Sequence, residues 1–434
     1  MSGLVPGPLL TVRPSRGLVD EKFEMVVKKL PPGQEVTLYA LHQSEDSDYW
    51  EAFGHYITDA QGAVSVAEDV SVGGSYLGME PMGLLWSLRP VPGSRTGLRL
   101  RKMDVCSPML VHISVHRGHI SQGFREATPL ACAVAKRWYM APGVRRVEVR
   151  EKGVKGTFFL PPGPGPFPGV LDMWGGGGGL VEYRSALLAS HGFVSMAMEY
   201  LPLDKSGTNV GLTISYFENA FRIVQEHPLV AADRIALFGL SLGASVSIAL
   251  AASSSDVHPR CCVCVNGGHI QSTDMLLKDT VNEIKKLTLK FPTDENNHAI
   301  WRNSILPIPD DPSQKMNVGK IKCPIMLIVG LDDQNWASAE CAEDMERMMK
   351  EAGNSHLLTV LSYPEAGHLI EPPFTPLIRS SNFIVQTTRE KVILLWGGQP
   401  KPHADAQEDS WRKTLQFLQT HLYQRHSAAI GSKL

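Results

Sequence analysis

The sequence predicts an α/β protein led by an all-β segment, and three observations carry that prediction. The first ~140 residues hold short alternating apolar runs and no helical period. From Val154 onward, apolar strands alternate with helical stretches, the signature of a mostly parallel sheet with crossover helices. Within that alternation lies "RIALFGLSLGASVSIALA", Arg234 to Ala251. There an apolar strand passes through Gly-Leu-Ser-Leu-Gly straight into a small-residue helix.

In the leading segment, "EVTLYALH" (Glu35 to His42), "GLLWSLRP" (Gly83 to Pro90) and "MLVHISVHRG" (Met109 to Gly118) read as strands. "TDAQGAVSV" (Thr58 to Val66) supplies a turn between two such runs. Short strands spaced by Gly, Pro and Asp turns predict an antiparallel β-sandwich over residues 1–140. In the second domain, 141–434, strands are expected at "VKGTFFLP", "GVLDMW", "FVSMAME", "RIALFG", "CCVCVNG", "CPIMLIVG" and "LLTVLSYP". Helices are expected at Leu180 to Gly192, Ile214 to Pro228, after Leu242, and from Ala406 to Leu422. Between Gly268 and Lys320 the pattern is poor, as for an insertion or lid over the sheet's top edge.

With 434 residues and a formal charge of -2, the chain has room for two domains and no field for nucleic acid. The basic clusters "RTGLRLRK" (Arg95 to Lys102) and "RRVEVREKGVK" (Arg145 to Lys155) are short and read as solvated strand ends or loops. Seven cysteines without framework spacing predict reduced thiols. Cys261, Cys262 and Cys264 alternate with valine as in a buried strand rather than a metal site. No apolar run approaches the ~18 residues that would span a bilayer, and no secretory signal opens the chain. Ser432-Lys433-Leu434 has the form of the peroxisomal import address, which predicts a peroxisomal location and an import receptor as partner.

The strand–Gly-x-Ser-x-Gly–helix context makes Ser241 a candidate nucleophile on a tight elbow. A serine hydroxyl is a weak nucleophile, so it needs a base, and the base needs an orienting carboxylate. "LIVGLDDQNW" places Asp332 and Asp333 just past a strand end, and "SYPEAGHL" places His368 after the next one. Asp333 is preferred because it lies farther around the turn from Gly330, with Asp332 as the fallback. For the developing oxyanion, one donor is expected from the Leu242 N–H. The other comes from the five-glycine loop, with Gly176 and Gly177 as candidates. That loop fits neither a phosphate-binding nor a dinucleotide motif, and no cofactor or metal is expected.

These residues resemble the acyl-coenzyme A thioesterase and bile acid-CoA:amino acid N-acyltransferase family. The likeness rests on "GGSYLGMEPMGLLWSL", "FFLPPGPGPFPGVLD", "GGGLVEYRSALLASHGF", "GLSLGA", "LIVGLDDQNW", "YPEAGHLIEPP" and "WGGQPKPHADAQEDSW". The resemblance implies a β-sandwich joined to an α/β-hydrolase domain, an acyl-CoA substrate, and a Ser241–Asp333–His368 triad. It also implies that a serine elbow goes with hydrolysis and a cysteine elbow with transfer to glycine or taurine. Long-chain acyl-CoA hydrolysis is therefore expected, with serine-based N-acyl transfer as the alternative. A non-catalytic acyl-CoA binding shell is disfavoured by the complete triad.

Overall fold

A computed structural model describes residues 7–177, 179–200, 213–270, 292–384 and 391–423. Near the N-terminus, strands Leu9–Arg13, Glu24–Lys28 and Val64–Ser65 form a three-stranded sheet. It faces a six-stranded sheet in the order Arg16–Leu18, Ala131–Trp138, Met109–Arg117, Glu35–Gln43, Tyr49–Ile57, Arg89–Pro90. Met109–Arg117 shows why the layers close. Its Val111, Ile113 and Val115 point one way and are buried, and they share a core with Leu10, Val12, Met25 and Val27 of the smaller sheet. Each such side chain contributes about 1.5–3 kcal/mol when fully buried.

One stretch departs from its expected strand. Gly83–Trp86 is a short helix, and only Arg89–Pro90 of that run pairs in a sheet. All four helical residues are buried, so "GLLW" carries no polar alternation to mark its period. Gly83 also lies against the Tyr76 ring, where an added Cβ would fall 2.5 Å from a ring carbon.

The second half is built on eight strands in the order Arg145–Glu151, Val154–Leu160, Val194–Glu199, Phe167–Met173, Val230–Leu240, Cys261–Val265, Ile325–Gly330, Leu358–Tyr363. The first two pairings are antiparallel and the rest parallel. Alternate residues of the central strands feed two cores. Ala236, Phe238, Leu240, Cys261, Val263 and Val265 pack with helices Tyr183–Ser190 and Pro400–Leu422, in a core continuous with the N-terminal sandwich. Leu237, Cys262, Cys264, Leu327 and Val329 pack with helices Ile214–Glu226, Leu242–Ser253 and Ser338–Glu351. The architecture is an α/β-hydrolase sheet preceded by a strand-rich sandwich.

Helix Ser338–Glu351 is an element not expected from the pattern above, although Cys341, Ala342, Met345 and Met349 bury one helical face. The last helix begins at Pro400, six residues before the expected Ala406. Prolines at its start cost nothing there, since first-turn amides have no intrahelical acceptor. A hairpin of Ser380–Ile384 and Lys391–Leu395 is a further addition. Nor is "RTGLRLRK" simply solvated: Arg99 and Lys102 are largely buried where the two halves meet. Among the described residues no helix is long and apolar enough to cross a membrane, and no cluster of His, Cys, Asp or Glu is placed to hold a metal. Ser432-Lys433-Leu434 lies outside the described residues.

Candidate active site

The turn between strand Val230–Leu240 and helix Leu242–Ser253 holds Ser241 at φ 58°, ψ -120°. A non-glycine residue in that region carries strain of about 1–3 kcal/mol, sustained only by its surroundings. Those surroundings are specific. The Ser241 N–H donates to the Val265 carbonyl at 2.8 Å, and the Ser241 carbonyl accepts from Ala244 and Ser245 N–H at 3.0 and 3.1 Å. The flanking glycines answer to close backbone approach. A Cβ on Gly239 would fall 2.2 Å from the Gly243 carbonyl carbon, and one on Gly243 would fall 2.2 Å from the Met173 oxygen.

Two strands away, the chain leaves Gly330 and buries Asp333 completely. Its Oδ1 accepts from the Asn335 and Trp336 N–H groups, each at 2.9 Å. Its Oδ2 accepts from the Ser338 hydroxyl at 2.6 Å and from His368 Nδ1 at 2.8 Å. Asp332 faces the other way, accepting from the Gly398 N–H at 2.7 Å and pairing with Arg379 at 3.4 Å. His368 donates its backbone N–H to Trp396 O at 2.9 Å and stacks its ring on the Trp396 indole at 14°. Nδ1 being engaged by Asp333, Nε2 is left for the cavity.

The acid and histidine loops are drawn together by backbone contact. A Cβ on Gly330 would fall 2.4 Å from Gly367 O, and one on Gly367 would fall 2.4 Å from Gly397 O. Asn266, which the motif pattern does not single out, ties them further. Its amide donates to Gly367 O at 3.1 Å and His368 O at 2.7 Å, while its Oδ1 accepts from Gly330 N–H at 2.8 Å. The one signal for it in the sequence is a polar residue directly after a buried strand, a place where asparagine tolerates the positive φ found here (46°).

His403 supports the same loop from the last helix. Its Nδ1 accepts from the Gly367 N–H at 3.1 Å, and its Nε2–H donates to Leu369 O at 2.9 Å. Both bonds need the neutral ring, and burial lowers its pKa from 6.5 to about 4. Between those values the unfolded chain binds the extra proton, so stability should fall as pH drops from 6.5 toward 4, by about 3 kcal/mol in all. Urea unfolding across that window checks this; His403→Gln should flatten the slope, and an unchanged slope would refute the assignment.

Ser241 and His368 open onto one cavity of about 460 Å³, walled by Leu242, Trp174, Gly175, Gly176, Gly177 and Trp396 among others. Leu242 follows Ser241 at the first helical position, where its N–H has no intrahelical acceptor. Among the described glycines of the loop, Gly175 is the one set against the serine. A Cβ there would lie 3.3 Å from Ser241 Cβ, whereas Gly176 has nothing within 4 Å and Gly177 only Phe383 at 3.9 Å. The strand ends at Met173, so the first glycine already passes the elbow.

A serine held on the strand-to-helix turn of an eight-stranded, mostly parallel sheet makes the fold that of the α/β-hydrolase enzymes. A family model described as BAAT / Acyl-CoA thioester hydrolase C terminal matches residues 212–424. Another, described as Acyl-CoA thioester hydrolase/BAAT N-terminal region, matches residues 20–151. The chain belongs to the acyl-CoA thioester hydrolase/BAAT family, as its motifs suggested. It is 37% identical over 428 residues to a mouse protein named peroxisomal succinyl-coenzyme A thioesterase, covering 97% of this chain and 98% of that one. To the mouse acyl-coenzyme A thioesterase 2, mitochondrial, it is 34% identical over 95% of this chain and 89% of that one. To the mouse bile acid-CoA:amino acid N-acyltransferase it is 34% identical over 95% and 97% respectively.

Proposed function

We propose that this chain is an acyl-CoA thioesterase that releases free acid and coenzyme A through Ser241, His368 and Asp333. The observation that carries the reading is the 2.8 Å bond from His368 Nδ1 to Asp333 beside a cavity shared by His368 and Ser241. Asp333 orients the imidazole and stabilises the imidazolium when it forms. His368 Nε2 takes the Ser241 proton as Oγ attacks the thioester carbonyl. The Leu242 N–H and a glycine-loop N–H receive the oxyanion, with Gly175 standing beside Gly176 and Gly177 as a candidate. Collapse breaks the C–S bond, and the imidazolium protonates the departing thiolate. Water then attacks the acyl-serine while Nε2 accepts its proton; the acid leaves and Ser241 recovers its hydrogen.

An oxyester at Ser241 suits hydrolysis, whereas a cysteine thioester would react more readily with amines. The relative named as an N-acyltransferase keeps amino-acid conjugation as the second reading. Incubation with long-chain acyl-CoA and millimolar glycine or taurine should give free acid as the main product by mass spectrometry. Dominant N-acyl amino acid would replace the first reading with the second.

For location, the Ser432-Lys433-Leu434 tripeptide and the name of one mouse relative support the peroxisome. An N-terminally tagged chain should co-localise with peroxisomes and lose that pattern without the tripeptide. A diffuse signal from the intact chain would count against it.

A further inference from the structure

The cavity of Ser241 and His368 takes part of its wall from the other half of the chain. Arg99 and Arg101, on the segment following strand Arg89–Pro90, both line it. The two guanidinium groups are in different states. Arg99 donates to Glu371 Oε1 at 2.6 Å, and Tyr183 donates to the other oxygen of that carboxylate at 3.1 Å. Lys102 is likewise committed, to Glu45 and to the Ser107 hydroxyl at 2.8 Å. Arg101 makes no hydrogen bond and no ion pair with any of the described residues.

Its position sharpens the point. Arg101 lines the active cavity and also a second one of about 260 Å³ bounded by Leu85, Leu100, Tyr139 and Phe374, so it stands in the partition between them. Burial, and then the Arg99 charge, hold its pKa below the ordinary arginine range. Arg101 is half-buried, and Glu371 attracts it through space without a hydrogen bond or ion pair, so its N–H donors remain free to meet an anion. Around the nucleophile the walls are apolar, with Trp174, Leu369, Phe383 and Trp396, and a plain hydrocarbon chain would offer those donors no acceptor. The planar fork of an arginine matches a carboxylate through two parallel N–H···O bonds.

Resting on the acyl-CoA reading above, we propose that Arg101 recognises a carboxylate at the far end of the acyl chain, so that ω-carboxyacyl thioesters are preferred over monocarboxylic ones of equal length. One guanidinium in a partition between cavities suits a single carboxylate better than the multiply charged, strongly hydrated phosphates of coenzyme A. The anion could nonetheless come from either end of such a substrate, and the test has an arm for each.

The full-length protein is assayed with pairs of equal carbon number: succinyl against butyryl, adipoyl against hexanoyl, suberoyl against octanoyl, sebacoyl against decanoyl. At the best length, kcat/KM should favour the ω-carboxy member by about 10- to 100-fold, the range of a hydrogen bond to a charged group. Arg101→Gln should collapse that ratio, and Arg101→Lys should retain part of it. A ratio at or below one in the unmutated protein, or one untouched by Arg101→Gln, overturns the proposal. The pairs are repeated as N-acetylcysteamine thioesters, which carry no phosphate. If Arg101→Gln weakens both members of every coenzyme A pair equally and spares the phosphate-free thioesters, the guanidinium serves the coenzyme and the proposal fails. Calorimetric titration of the coenzyme A pairs on Ser241→Ala protein reads the preference without turnover. Absence of thiol release from every substrate would refute the hydrolase reading, whereas equal Kd values within each pair would refute the carboxylate pocket.

Discussion

Ser241→Ala, His368→Ala and Asp333→Asn should each lower kcat roughly 10⁴-fold or more, with the Ser241→Ala/His368→Ala double variant little worse than either single one. The three groups act as a unit, so removing a second member of a broken relay costs almost nothing more. Stopped-flow thiol release on folded protein measures this, with circular dichroism as the control for structure. Asp332→Asn is the internal comparison, since that carboxylate bonds Gly398 N–H and Arg379 rather than His368. Near-normal activity in Asp333→Asn together with a large loss in Asp332→Asn would show that the wrong acid had been chosen.

Asn266→Ala should lower kcat about 100-fold while also reducing stability. The substitution deletes the donor to Gly367 O and His368 O and the acceptor of Gly330 N–H. Three backbone groups would then be stranded in a dry layer, at about 1–3 kcal/mol each. Alanine is in addition poorly suited to the positive φ at this position (46°). The catalytic loss follows from geometry: a shift of about 1 Å between His368 and the elbow is enough for a 100-fold effect. Asn266→Asp should fare no better, because a carboxylate facing two carbonyl oxygens repels where the amide bonds. The measurements are kcat and KM alongside urea unfolding; an unaltered kcat in a destabilised Asn266→Ala protein would confine the residue to a structural part.

Much of the site is legible in the order of residues alone. A Gly-x-Ser-x-Gly between an apolar run and a small-residue helix is a local pattern, although only Gly239 answers to crowding within the turn, Gly243 being set against the end of the neighbouring strand at Met173. An acidic turn after "IMLIVG" and a histidine after "LLTVLSYP" stand out because buried parallel strands are continuous apolar runs with polar residues at their ends. The alternation in "MLVHISVHR" is equally plain, its Val111, Ile113 and Val115 facing one core. Helix Ser338–Glu351 is legible too, in the spacing of Cys341, Met345 and Met349, although the expectations above did not include it.

Other features lie beyond the reach of local pattern. "GLLW" is a helix buried on every side, which erases periodicity. Asn266 and His403 look like ordinary polar residues until the fold sets both beside Gly367, 101 and 36 positions away.

Short-range spacing at strand ends was therefore enough to point to a two-part architecture and to a serine, a pair of aspartates and a histidine as candidates, while the longer motifs carried the resemblance to the family. Three matters waited on the packed molecule: which aspartate reaches His368, which loop glycine meets Ser241, and the entry of Arg101, from a modest basic cluster, into the same cavity without a partner. Each depends on how segments far apart in the chain lie against one another. Packing sets distance, burial and the pairing of charge, and no local pattern encodes them.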